Sequence, residues 1–334
     1  MLHRTIAFPV ASLAILAGGA CSSGSPQCHV GADCASGACD SSGQCVPVTT
    51  GGDDSGGADV GVDAHADAAV EGGVEASPGD DGGSGCLPNN DGIITRAEVP
   101  MMAGLHASFL IAPAGGSTTE TVTMNTAGTP QSDGTVDWDF SGALTGDHTV
   151  VITTDAPQGQ WFSPQFTDAT YTSLLSETEA FLGVYQGTAA ALLLQGVVNP
   201  TNATPQTELT YSPAAEILAV PLQVGSTWTS TSTVSGIADG VTLVSGVNSY
   251  TEKYDSTVDA KGSLEVPYGT FQVLRVQTTL TRTVGVEVET IQTMTFVAEC
   301  FGPVARLTSK TTTYPAAVPG DAFTTVAEAW RLSP

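Results

Sequence analysis

The chain has 334 residues with 34 acidic and 9 basic side chains, a formal net charge of −25, and between Cys21 and Lys253 its one Lys or Arg is Arg96. A nucleic-acid binder needs a basic footprint to displace counterions, so that class is excluded, and with it docking of the folded part on anionic headgroups through charge. The length suits one large domain or two moderate ones.

In chain order, the first element is an export signal. Arg4 opens residues 1–20, Thr5 to Leu16 is apolar, and Gly18-Gly19-Ala20 is a small-residue cleavage region. The stretch is shorter than the roughly 20 apolar residues a spanning helix needs. Seven cysteines divide into one (Cys21), four (Cys28, Cys34, Cys39, Cys45) and two (Cys86, Cys300), and the odd one falls directly behind the signal. Ala20-Cys21 resembles the lipobox of bacterial lipoproteins, with Gly18 where that family usually has Leu. The resemblance implies lipidation of Cys21, membrane attachment through that anchor alone, and, with Ser22 following, passage to the outer membrane, facing the periplasm or the cell surface. Cleavage after Ala20 without lipidation is the other reading.

Residues 21–27 lead into a knot at 28–45, spaced C-x5-C-x4-C-x5-C with Gly31, Gly37 and Gly43 between. Almost no apolar side chain falls inside it, so crosslinks must replace a core. Four cysteines allow three pairings, and spacing does not choose among them. The C-x-x-C pattern of zinc sites is absent. The spacing resembles the short cysteine-rich modules, with Dickkopf-like or EGF-like labels, of myxobacterial-type predicted outer-membrane lipoproteins; it carries no activity. Residues 46–85 are mostly Gly, Asp, Ala, Ser and Val, with nine acidic side chains, no Lys, no Arg and no aromatic. Such a stretch cannot offset its chain entropy by burial, which predicts a disordered tether spanning roughly 35 Å root-mean-square.

Leu87 to Glu98 resembles an EF-hand or dockerin calcium loop. The resemblance makes Asn89, Asp91, the Ile93 carbonyl and Glu98 the ligands, with Gly92 at the sharp turn and Ile94 buried; Leu87 stands where the first acid should be, and Pro100 cuts the exit helix short. A turn at Asn90-Asp91-Gly92, followed by a capping box over Thr95-Arg96-Ala97-Glu98, accounts for the same residues without metal. Calcium is thus the one cofactor the sequence raises.

From Cys86 to Pro334 the texture is β, rich in Thr, Val, Ser and Gly with frequent turn signals. The expected strands are 107–112, 120–124, 136–140, 148–153, 161–166, 180–185, 208–211, 227–234, 243–254, 271–281, 286–297 and 304–312. Short helices are expected at 95–102 and near 173–179. The apolar stretch Ala180–Val198, broken at Gly187-Thr188, reads as a buried hairpin. Short connections imply antiparallel pairing, hence a curved antiparallel sheet, a half-open barrel or a sandwich. Cys86 and Cys300 bracket this domain, and a bridge between them argues for one unit.

Three further pieces, Pro221, Leu222, Gly225 and Trp228, then Pro267, Gly269, Thr270, Phe271, Arg275 and Val276, then Gly302 and Val304, resemble a loosely defined group of exported bacterial β-sheet proteins. That resemblance implies a curved sheet, in some relatives holding an apolar ligand, and no catalytic residue. No nucleophile elbow, zinc-protease helix, P-loop or dinucleotide fingerprint occurs. Only His106 and His148 lie in the domain, and Asp137/Asp139 and Glu287/Glu289 alternate along single strand faces rather than facing one another. No catalytic residue is assigned. The expectation is a lipid-anchored binding or structural module, with carriage of a lipid or other apolar ligand as the alternative; the protein or small-molecule partner is not specified.

Overall fold

The computed structural model describes residues 86–113, 120–177, 180–202, 204–238, 241–243, 249–314 and 323–334. The signal, Cys21, the cysteines of the knot and the acidic linker lie outside the described residues.

Alternating apolar and polar residues build twelve principal strands: β1 (His106–Ala112), β2 (His148–Asp155), β3 (Tyr171–Leu174), β4 (Leu182–Gly187), β5 (Ala191–Val198), β6 (Glu208–Ala219), β7 (Thr227–Ala238), β8 (Tyr250–Val266), β9 (Gly269–Val284), β10 (Glu287–Ala298), β11 (Gly302–Ser309) and β12 (Thr325–Ser333). Every strand pairs antiparallel with its chain neighbour. The last pairs with the first, Trp330 opposite Ile111 and Leu332 opposite Phe109, and so closes a barrel. The expected curved sheet is therefore a fully closed up-and-down barrel, and closure removes the exposed edges that a half-open sheet would leave.

β9 and β10 are buried on both faces at 273–277 and 296–298, while β8 alternates throughout. An irregularity in β8 between Val258 and Ala260 moves its buried side chains from one face of the wall to the other. Before it, Tyr254 and Val258 lie opposite Leu280 and Val276, and this face packs on Tyr211, Val234 and Leu274. After it, Leu264 and Gly262 lie opposite Phe271 and Val273, on the face covered by Trp138, Phe140 and Phe296. Trp138 and Phe140 meet Phe296 edge-on, with ring centroids 5.1 and 5.3 Å away. Runs such as Phe296-Val297-Ala298 are consequently buried throughout rather than alternately.

The cover over the second face comes from residues 120–140. A short strand, Val136–Asp139, runs parallel along Gly262–Glu265 of β8. Gly262 is required there, since a Cβ would sit 1.9 Å from the Val136 carbonyl oxygen. Arg275 fastens the cover: Nε and Nη2 donate to the two oxygens of Asp259, Nη1 donates to the Thr126 carbonyl, and the guanidinium lies 5.3 Å from the Trp138 ring centroid. Arg331, fully buried on β12, donates to the carbonyls of Phe140 and Gly142 and pairs with Asp147.

Several expectations are corrected. Residues 161–166 form successive turns, not a strand: Ser163, Gln165 and Phe166 each donate to a carbonyl three residues back, and Pro164 cannot join a central ladder. The helix expected at 95–102 is a single 3-10 turn, Arg96–Glu98, and the stretch near 173–179 begins as strand β3. The 180–198 stretch is the buried hairpin β4–β5, turning at 188–190. Trp228 packs inward as expected and Thr227, Thr229 and Thr231 point out, but Ser230 and Ser232 share the buried face. Of the twelve, β3 and the closing β12 were not anticipated, and β8 runs over 250–266 where 243–254 was expected.

Candidate functional site

Residues 86–105 enter the fold through Cys86, whose sulfur is bonded to Cys300 across 214 positions of sequence. Ile94, Val99 and Met101 of this segment are buried in the Tyr211 and Val234 core, and Ile93–Ile94 pairs with Leu222–Gln223. The calcium-like loop is tied by its own hydrogen bonds. Asn89 Oδ1 accepts from the Asp91 amide (2.8 Å) and Asp91 Oδ1 from the Ile93 amide (2.7 Å). Glu98 Oε2 accepts from the Thr95 amide and hydroxyl (2.8 Å each), closing the capping box, while Oε1 accepts from Asn89 Nδ2 (3.0 Å). Glu299 accepts both the Asn89 and Asn90 amides. The bonds of Asp91, Ile93 and Thr95 are those of a turn followed by a cap, and the Glu299 bonds tie the loop to the barrel. Among the described residues, no group of three His, Cys, Asp or Glu side chains is placed to hold a metal ion.

An open trough of about 560 Å³ lies on the outward face of β7, β8 and β9. Thr227, Thr257 and Gln277 stand in one cross-strand row, and Thr229, Asp255 and Thr279 in the next. Thr229 donates to Asp255 Oδ1 at 2.9 Å, and Lys253 meets Oδ2 at 2.8 Å. Those bonds, the one from Lys253 first, hold the Asp255 carboxyl below the ordinary range. The trough is therefore hydroxyl-lined and locally neutral. It can exchange hydrogen bonds with a polar partner.

On the opposite face of the same strands lies a buried charge network. Glu252, 1 % exposed, accepts from Arg282 Nε at 2.9 Å and from the Tyr254 hydroxyl at 2.6 Å. Arg282 also reaches Glu289 at 3.6 Å and stands 5.5 Å from the Tyr250 ring centroid. Burial, and then the neighbouring charge of Glu252, push the Tyr254 hydroxyl well above its ordinary pKa. Glu252 is thus the buried counter-charge of the partly exposed Arg282. Sequence reasoning missed it, because period-two alternation marks a face without showing that a charge on it is enclosed.

His148 meets a carboxylate: Nε2 lies 2.6 Å from Glu177 Oε1 and Nδ1 3.2 Å from the Gly146 carbonyl. Burial alone would lower its pKa, but those partners outweigh it and the net direction is upward. With two acceptors the ring is satisfied as the imidazolium. Arg306 holds the same segment through the Leu175 carbonyl, and Ser176 donates to Glu328. The sign follows from linkage: a raised folded pKa adds stability below the unfolded value of about 6.5, and that stability is lost as pH rises through the folded value. Amide exchange at residues 175–177 is therefore expected to be slower near pH 6 than above pH 8 after correction for intrinsic rates. His148→Gln should remove that difference, and its persistence in the variant would disprove the assignment.

Asp137 and Asp139 point to solvent, bonded to Gln131 and Ser141, as the alternation implies. No described helix is long and apolar enough to cross a membrane. The outward faces of β7 and β8 carry Thr, Lys253 and Asp255, unlike the apolar band of a barrel that spans lipid.

Fold and surface together define a closed, antiparallel β-barrel domain crosslinked near its two ends. No family model, no curated protein and no solved structure matches the chain.

Proposed function

We propose that this chain is an exported, lipid-anchored protein whose barrel serves as a binding or structural module. The observation that carries the reading is the filled, closed barrel joined by Cys86–Cys300. Structural disulfides belong to oxidising compartments, in keeping with a signal at 1–20 and attachment at Cys21. The carrier alternative requires an apolar hollow. Tyr171, Tyr185, Leu194, Tyr211 and Val234 fill the corresponding interior, and the large trough is polar-lined, so the geometry favours a module.

Cells expressing the chain and fed a clickable fatty acid should label the wild type and leave Cys21→Ser dark. Equal labelling, or none in either, would remove the anchor from the proposal. Labelling should coincide with recovery of the wild type in the membrane fraction and of the variant in the soluble fraction.

A further inference from the structure

Three aromatic rings meet at the surface where the N-terminal chain joins the barrel. Tyr268 and Phe271 stack with centroids 6.0 Å apart, Phe301 packs edge-on to Phe271 at 4.9 Å, and Tyr268 lies 6.5 Å from Phe301. Tyr268 is 43 % exposed and Phe301 45 %. Phe301 follows Cys300 directly, and the bridge places the Cα of Cys86 5.5 Å from that of Cys300. Leu87, next along, is 83 % exposed. The cluster is thus built at the point from which the preceding 85 residues leave the domain.

The local charge is as informative as the rings. Residues 86–90, 266–271 and 300–304 contain no charged side chain, in a chain of net charge −25. Glu299, beside the patch, turns inward onto the Asn89 and Asn90 amides, leaving Glu265, and Asp91 and Glu98 of the entry loop, at the margin. Tyr has an apolar ring with a polar tip, and Phe and Leu are wholly apolar; this combination suits the boundary between headgroups and acyl chains. Elsewhere the acidic surface is repelled by anionic lipid, so the surface that fits is a zwitterionic one.

We infer that the Leu87, Tyr268, Phe271 and Phe301 patch is a docking face for a zwitterionic bilayer surface, seating the barrel tether-end down on the membrane that holds the anchor. The inference rests on the anchored reading for its membrane. A few rings bind lipid weakly by themselves, but attachment of the same chain through a lipid anchor raises the local concentration of the partner to about the millimolar range, where weak binding suffices. Tether and patch then act as two linked contacts, and their common end gives the barrel one orientation.

The test supplies the tether independently of Cys21. The full chain bearing Cys21→Ser and an N-terminal hexahistidine tag in place of the signal is held on phosphatidylcholine vesicles by a nickel-chelating lipid. One variant places a reporter in the patch, Tyr268→Trp; another places it at Val286, beyond the opposite end of β9 and roughly 50 Å along the strand. With lipids brominated high on the acyl chain, Tyr268→Trp should show a blue shift and loss of its added emission, and Val286→Trp neither. In the chain without a reporter, amide exchange at 266–271 and 300–304 should slow on vesicles, with no change at 284–287, so the inference does not depend on the variant folding. Equal quenching at both positions, absence of quenching at 268, or unchanged exchange in the two patch segments overturns it. Protection of the same segments through self-association in solution, without lipid quenching, overturns it in favour of a protein partner. Failure of fatty-acid labelling at Cys21 leaves this experiment intact, so the two readings fail separately.

Discussion

Removing the Cys86–Cys300 bond with Cys86→Ala/Cys300→Ala is expected to lower unfolding free energy by about 3 to 5 kcal/mol, the upper figure being the chain-entropy cost of closing so long a loop. For a domain of this size that corresponds to a fall in melting temperature of roughly 10 °C. The bond spans 214 positions and joins the entry segment to the end of β10, so most of the domain lies inside the loop it closes. The native fold keeps other links between the same regions: the Cys300 amide donates to the Glu98 carbonyl at 2.7 Å, and Glu299 holds the Asn89 and Asn90 amides. The variant should therefore reach the same fold with the same near-ultraviolet spectrum and unfold sooner. Adding reductant should bring the wild type to the variant's melting temperature and leave the variant unmoved. An unchanged melt, with faster exchange confined to residues 86–105, would show that the bridge staples only the entry segment.

Arg282→Met is expected to destabilise the barrel by about 3 to 5 kcal/mol, because it strands a buried carboxylate without its counter-charge. Glu252 is 1 % exposed, and Arg282 is its cationic partner, leaving only the Tyr254 hydroxyl to stabilise the charge. Glu252→Gln should cost less, about 1 to 2 kcal/mol, since Arg282 retains partial solvent access and keeps Glu289 and the Tyr250 ring nearby. In the double variant the stranded charge no longer exists, so stability should recover well above that of Arg282→Met alone. Urea titration of all four proteins completes the cycle. Simple additivity would mean that Glu252 is solvated in solution and that the network contributes packing rather than paired charge.

The comparison of sequence with structure turns on which residues carry local information. Thr, Val and Ser alternation placed β7, β9 and β10, and the Pro267–Gly269 turn fell where the β8–β9 hairpin reverses, but β8 itself runs over 250–266 where 243–254 was expected. The 180–198 stretch was legible as a hairpin because Gly187-Thr188 interrupts it. Pairing of Cys86 with Cys300 was legible from their positions at the two ends of the domain. Residues 161–166 looked like a strand because Trp161, Phe162 and Phe166 suggest one. Their rings instead fill a small satellite core with Ala169, Val184 and Val198, built from turns.

The closing strand was hidden for a different reason. Thr325–Ser333 reads TVAEAWRLS, and Ala, Glu, Arg and Leu favour a helix when judged locally. In the barrel those polar groups find long-range partners: Glu328 meets Arg306 and Ser176, and Arg331 meets Asp147 and two carbonyls. Their partners lie up to 191 positions away, beyond any local pattern. The sequence by itself determined an antiparallel β domain, its long-range crosslink and its acidic, base-poor surface, because strand periodicity, cysteine placement and charge are properties of residues read in order. Only the tertiary structure decided that the meander closes, that β8 changes its buried face at Val258–Ala260, and that Tyr268, Phe271 and Phe301 meet at the chain's entry. Closure, register and surface neighbourhood are relations between distant residues, and packing alone brings them together.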